Sequence, residues 1–242
     1  MFDLKGKKAI VTGSTQGIGF AIAELLAAQG AKVFVCGGSN SPKTEKAAAA
    51  IRGAVPVTVD LLREDCAERM YEITGDVDIL VLNASIQYKA RWDAYTMEQY
   101  EHMMNCNVRS SYLLIKKYTE GMKARSWGRI VTVGSVNQYN QHRELSLYAV
   151  TKVAQMKMVK NFAADLAPYG ITINNVAPGA IDTPRNAEIC ANEELRQAVE
   201  RRIPCGRFGV PRDISPAVLL LCSEEGSYIT GTDLVIDGGL QL

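Results

Sequence analysis

Tyr148 and Lys152 stand four residues apart in SLYAVTK (146–152), and Ser135 precedes the tyrosine by thirteen positions. Residues at i and i+4 share one face of a helix. An ammonium held near a phenol favours the phenolate, so the pair can act as a general acid and base near neutral pH. Taken alone, a YxxxK pair also suits a solvated helix face, and its meaning depends on its company.

Part of that company is AIVTGSTQGIGFA (9–21), which places Gly13, Gly17 and Gly19 between an apolar strand and a helical pattern. Glycines allow a tight turn and let a pyrophosphate approach backbone N–H groups at a helix N-terminus. The spacing is GxxxGxG, distinct from the GxGxxG of the general dinucleotide fingerprint. A close-packed structural turn is the plain alternative.

These residues need a frame. Short β-rich runs, KKAIVT, AKVFVC, AVPVTV, VDILVL, GRIVTV, ITINNV and TDLVID, alternate with segments able to form helices. The pattern predicts an α/β fold with a parallel sheet covered on both faces. Helices are expected over 18–29, ending at Gly30, over 107–123 and over 146–168. With 242 residues the chain reads as one domain, 1–242, with a polar, helical and mobile flap at about 180–205.

Composition narrows the function classes. Lys and Arg number 27 against 26 Asp and Glu, without a long basic run, which argues against nucleic acid. Six scattered cysteines, no CxxC and two histidines argue for reduced thiols and against structural zinc. A polar lead running straight into a strand, with no long apolar stretch, predicts a cytoplasmic protein with no membrane partner.

TGSTQGIG (12–19), Asp60 after the third strand, NAS (83–85), Asn107, Ser135, YAVTK and PGAIDT (178–183) occur in an order and spacing that resembles the short-chain dehydrogenase/reductase family over essentially the whole chain. The resemblance implies a Rossmann-type doubly wound sheet of seven strands in the order 3-2-1-4-5-6-7. It also implies NAD or NADP as cofactor and a homotetramer or dimer. Four catalytic residues carry over: Tyr148 exchanging a proton with the substrate oxygen, and Lys152 favouring the phenolate and binding the nicotinamide ribose. Ser135 would hold the carbonyl or hydroxyl oxygen, and Asn107 a water linking Lys152 to solvent. Around the cofactor the resemblance places Gly13, Ser14, Gln16, Gly17, Ile18 and Gly19 at the pyrophosphate and adenosine ribose, and Asp60 and Leu61 at the adenine. Asn83 and Ala84 follow on the ribose side; Pro178, Gly179, Ile181 and Thr183 surround the nicotinamide, beside Tyr148 and Lys152. For Asp60 and Asn107, helix capping and satisfaction of backbone groups are the structural alternatives.

Two motifs depart from the family pattern. Leu82-Asn83-Ala84-Ser85 stands where NNAG is usual, and Gly134 where a serine often precedes the active serine. At the end of the second strand, Cys36-Gly37-Gly38-Ser39-Asn40 carries no acid to bond a ribose 2′-hydroxyl. Ser39, Asn40 and Lys43 could instead receive a 2′-phosphate, which favours NADP(H) over NAD(H).

The reaction class is thus a secondary alcohol–ketone interconversion, or a sugar hemiacetal–lactone one. For the substrate, Gln87, Asn137, Gln141, His142, Arg143 and Asn186 are polar candidates, together favouring a sugar, polyol or sugar acid. Alternatives are a steroid or xenobiotic carbonyl reductase, a 3-oxoacyl thioester reductase with Lys89, Arg91, Arg125 and Arg129 as a docking surface for an acidic carrier, and a non-catalytic nucleotide-binding module. Met156, Met158 and Phe162 are candidate contacts for self-association.

Overall fold

A computed structural model describes residues 2–242. Seven β-branched-rich runs form one parallel sheet: β1 Lys8–Thr12, β2 Lys32–Gly37, β3 Val55–Thr58, β4 Ile79–Leu82, β5 Gly128–Val133, β6 Ile171–Pro178 and β7 Asp233–Ile236. Their order, β3-β2-β1-β4-β5-β6-β7, is the one the resemblance implies. Strands β4, β5 and β6 are buried at every position, because helices cover both faces and leave no side to alternate toward water.

The helices divide between those faces. α1 (Gly17–Ala28), α2 (Ser41–Ala49) and α9 (Pro211–Cys222) supply one apolar layer, including Ile22, Leu26, Ala47, Val218 and Leu221. α3 (Cys66–Thr74), α5 (Ser110–Ala124) and α6 (Ser146–Leu166) supply the other, including Met70, Leu114, Tyr118 and Val159. α4 (Met97–Met103) leads into α5 through a π-helical turn, Met104–Arg109, so the expected helix at 107–123 begins inside that turn. π-Bulges insert an extra residue and redirect side chains, often at functional sites. The expected flap resolves into two short helices, α7 (Ala187–Ala191) and α8 (Glu193–Glu200), none of whose residues is buried. No helix among the described residues is long and apolar enough to cross a membrane.

The chain order reverses between β1 and β4, so the connections leaving their carboxyl ends diverge and open a crevice there, the usual ligand position in such sheets. The close approach that shapes it occurs at Gly13, which has φ +63°; a Cβ there would lie 2.8 Å from Ala84 Cα. Thr12 joins the two loops: its Oγ1 donates to Val81 O and accepts from Asn83 and Ala84 N–H.

Candidate active site

A cleft of about 900 Å³ runs across the carboxyl ends of the strands, from Gly38 and Asp60 past the glycine loop to Ser135, Tyr148 and Lys152. Ser135, Tyr148 and Lys152 line its floor and Asn107 lies outside the lining; all four catalytic candidates are nearly closed to solvent: Asn107 0 %, Lys152 1 %, Tyr148 4 % and Ser135 9 % exposed. α6 carries Tyr148 and Lys152 on one face, with the ammonium 5.6 Å from the phenol ring centroid. Ser135, two residues past β5, caps the 3₁₀ turn Val136–Gln138, its Oγ accepting from Asn137 N–H at 3.2 Å.

The π-helical turn directs Asn107 inward. Its Oδ1 accepts from Ile86 N–H, and its Nδ2 donates to Ile86 O and Thr151 Oγ1. This side chain therefore anchors the segment after β4 to α6. Lys152 instead donates to Val133 O and Gln155 Oε1, both at 2.8 Å. The link from Lys152 toward Asn107 is made through side chains, and the sequence reading missed the one that makes it, Gln155. Its position three residues after Lys152, on the same face of the helix, was the available signal.

Burial is the main cause that lowers the Lys152 ammonium from its ordinary 10.5 to about 7; the positive charge of Arg185 adds to it and Cys106 opposes it. Burial likewise pushes the Cys106 thiol up to about 11. The flap explains the first of these neighbours. Arg185, on the 3₁₀ turn Pro184–Asn186, donates from Nη2 to Ser85 O and Ser85 Oγ, and its Nη1 lies 3.5 Å from Tyr148 Oη. Ser85, a departure from the family's glycine, thus holds a cation over Tyr148. The other departure is compensated: a Cβ at Gly134 would come within 2.6 Å of both Asn175 Nδ2 and Gln138 Oε1, so larger polar neighbours have taken the serine's space.

Along the rest of the cleft, Gly13, Gln16, Gly17, Ile18, Gly19, Ser39, Asp60, Leu61, Asn83, Ala84, Pro178, Gly179, Ile181 and Thr183 all line the walls. Ser14 does not. It is fully buried, donating to Val11 O and accepting from Cys36 N–H, so it ties β1 to β2. Asn40 also falls outside the lining, and its Oδ1 caps α2 by accepting from Lys43 N–H. Lys43 Nζ donates to Gln16 Oε1 at 2.5 Å, beside Ser39. Asp60 Oδ1 accepts from Leu62 N–H, so a local structural role coexists with its place in the cleft.

At the substrate end, Gln87, Asn137, Gln141, His142 and Asn186 line the cleft, whereas Arg143 is exposed and does not. Lys89, a carrier-docking candidate, does line it, as do Arg185 and Arg202, which the sequence did not single out. The expected carrier-docking cluster is dispersed. Arg129 is buried at the opposite end of the sheet, bonded to Ser223 O, Gly128 O and Gly170 O, and Arg125 pairs with Asp76 and Asp78 at that same end. Arg91 pairs with Asp93.

The fold as a whole is matched in known proteins. The family model described as enoyl-(acyl carrier protein) reductase matches residues 13–241. The chain belongs to the short-chain dehydrogenase/reductase family. Among its relatives, the 3-oxoacyl-[acyl-carrier-protein] reductase of Aquifex aeolicus is 35 % identical, covering 98 % of each chain. The 3beta-hydroxysteroid dehydrogenase 1 of Eggerthella lenta is 33 % identical, covering 99 % of this chain and 95 % of that one. A crystal structure of a gluconate 5-dehydrogenase from Burkholderia cenocepacia in complex with NADP and tartrate superposes with a TM-score of 0.91 at 30 % identity, covering 99 % and 96 %.

As a member of that family the protein is an NAD(P)-binding oxidoreductase acting on carbonyl or CH–OH groups. The residues present fit such a cofactor. The cleft is a continuous channel at the switch point, the glycine loop opens α1 at its wall, and a buried lysine without a carboxylate partner closes the floor. Bound there, the nicotinamide supplies or accepts the hydride.

Proposed function

We propose that the protein interconverts a secondary alcohol and a ketone on a hydroxylated carboxylate, such as a sugar acid, with preference for NADP(H). The carrying observation is the charge of the substrate end. Lys89, Arg185 and Arg202 line it and make no salt bridge among the described residues, although Glu144 lies on the same rim. Unpaired cations around a cleft favour an anionic ligand, and arginine can hold a carboxylate through two parallel bonds. Burial lowers His142 below its ordinary 6.5, and Lys89 and Arg202 lower it further against Glu144. Neutral His142, with Asn137, Gln141 and Asn186, offers groups for hydroxyls. The gluconate 5-dehydrogenase bound to tartrate, a hydroxylated dicarboxylate, supports the same reading by similarity.

In this reading Ser135 and Tyr148 take the reacting oxygen, Tyr148 Oη exchanges its proton, and the Lys152 ammonium stabilises negative charge on the phenol oxygen during that exchange. Asn107 holds the segment after β4 in register with α6. For the 2′-phosphate, Ser39 and Lys43 are the proposed ligands, with Gln16 steadying the lysine. No acid stands at the end of β2 to repel it.

A second reading, a 3-oxoacyl thioester reductase, draws on the relatives of that activity and on the flap's Ile189, Leu195 and Val199, which give the cleft an apolar side. Initial rates for sugar acids, neutral polyols and 3-oxoacyl thioesters with each nicotinamide separate the two. The proposal expects the highest kcat/KM for an anionic hydroxylated substrate with NADP(H). A preference for the thioester or for NAD(H) would overturn it. Self-association is proposed through α5 and α6, whose exposed Tyr112, Val150 and Val153 support it; light scattering on the purified protein tests this.

A further inference from the structure

Behind the catalytic lysine lies a chain of polar groups with a single consistent direction. Lys152 Nζ donates to Gln155 Oε1 at 2.8 Å, Gln155 Nε2 donates to Ser111 Oγ at 2.9 Å, and Ser111 Oγ donates to Asn107 O at 2.8 Å. All four residues are buried. A serine hydroxyl has one proton, and the Asn107 carbonyl takes it, so the Ser111 oxygen is left to accept. That acceptor demands the NH₂ end of the Gln155 amide, which in turn presents the carbonyl end to the ammonium. The backbone of the π-helical turn therefore sets which end of Gln155 faces Lys152.

A wholly buried amide costs free energy unless both ends are paired, and a helix packing on a sheet is served as well by an apolar residue. The polar end of Gln155 meets that cost only through Ser111 and the catalytic lysine.

We propose that Gln155 is a positioning residue of the active site: it fixes Lys152 Nζ beside the Val133 carbonyl and holds the lysine in its charged form. An amide has no proton to give or take near neutral pH, so this chain retains charge on Lys152 and does not conduct protons. Proton exchange at the Tyr148–Lys152 pair then takes place from the cleft side. The other titratable or charged groups facing Lys152 are Tyr148 on α6, Cys106 in the π-helical turn and Arg185 from the flap; β5 contributes a carbonyl and α5 the uncharged Ser111.

The test is the pH profile of kcat on the alkaline side, where Lys152 loses its proton, measured for the wild type, Gln155→Leu and Gln155→Glu, with thermal midpoint and NADPH binding as controls. Losing a hydrogen bond to the ammonium should move the midpoint down by about one to two pH units in Gln155→Leu. The near-isosteric Gln155→Glu should move it up, because a carboxylate favours the ammonium more than an amide does. A lowered rate or thermal midpoint with the profile unmoved in Gln155→Leu would show packing alone and overturn the proposal. If Gln155→Leu does not fold, an unmoved profile in Gln155→Glu overturns it equally.

Discussion

Ser135 and Lys152 on the floor of the cleft, and Asn107 outside its lining, are each held by at least one hydrogen bond to backbone, and all three are buried. On its rim, Lys89, Gln141, His142, Arg185 and Arg202 are exposed and stand on turns, loops and the flap. Tyr148 joins the two regions, being buried on α6 while its hydroxyl faces Arg185 at 3.5 Å. In the proposed reaction a rigid floor would fix where the proton goes, and a rim of solvated side chains would select what is brought to it. Changes on the floor should therefore act on the reaction whatever the substrate, and changes on the rim should discriminate between substrates.

The sharpest break should come from Tyr148→Phe. Removing the acid–base hydroxyl is expected to cut kcat by on the order of 10³-fold for every substrate, with NADPH affinity by fluorescence titration unchanged. A rate within tenfold of wild type would dissolve the assignment of the floor. Arg185→Met should cut kcat/KM about 10- to 100-fold for carboxylate substrates, the cost of one charge-assisted bond, and spare neutral ketones. Equal losses for both would move Arg185 from the rim to the floor.

Lys152 allows the contrast to be read in stability. Its folded pKa of about 7 lies below its ordinary 10.5, so between those values the unfolded chain binds more protons and the lysine's contribution to stability rises with pH. Below about 7 the buried charge weighs in full. Lys152→Met should be inactive yet more stable than wild type at pH 6 by about 1–4 kcal/mol, a margin narrowing toward pH 10 in parallel denaturant titrations. A margin constant across that range would remove the buried charge as its cause. Arg143→Ala should change least: exposed and outside the lining, it should leave both kinetics within twofold and stability within about 0.5 kcal/mol.

Where sequence reading succeeded, local pattern was enough. The glycine loop, the strand runs and the YxxxK spacing are encoded within a turn or a strand of one another, and their order reproduces the sheet β3-β2-β1-β4-β5-β6-β7. It failed where a role depends on a partner distant in sequence. Ser14 reads as a loop residue at a phosphate, but the Cys36 N–H and the Val11 carbonyl claim it. Asn40 reads as a ligand and serves as a helix cap. Arg143 reads as a substrate candidate, yet the turn from His142 to Leu145 leaves it in solvent while Arg185, 37 residues beyond Tyr148, is delivered to the tyrosine by the flap.

The sequence by itself determined the convergence of Ser135, Tyr148 and Lys152, the proposed catalytic set, because a serine, a tyrosine and a lysine on one β5–α6 unit need only strand and helix geometry to meet. The tertiary structure decided what surrounds that set. Burial between two packed layers lowers Lys152, the π-helical turn orients Gln155 through Ser111, and the contact between Ser85 and Arg185 across 100 residues sets the charge facing the substrate. Each of these depends on desolvation and on long-range juxtaposition, which no local spacing encodes.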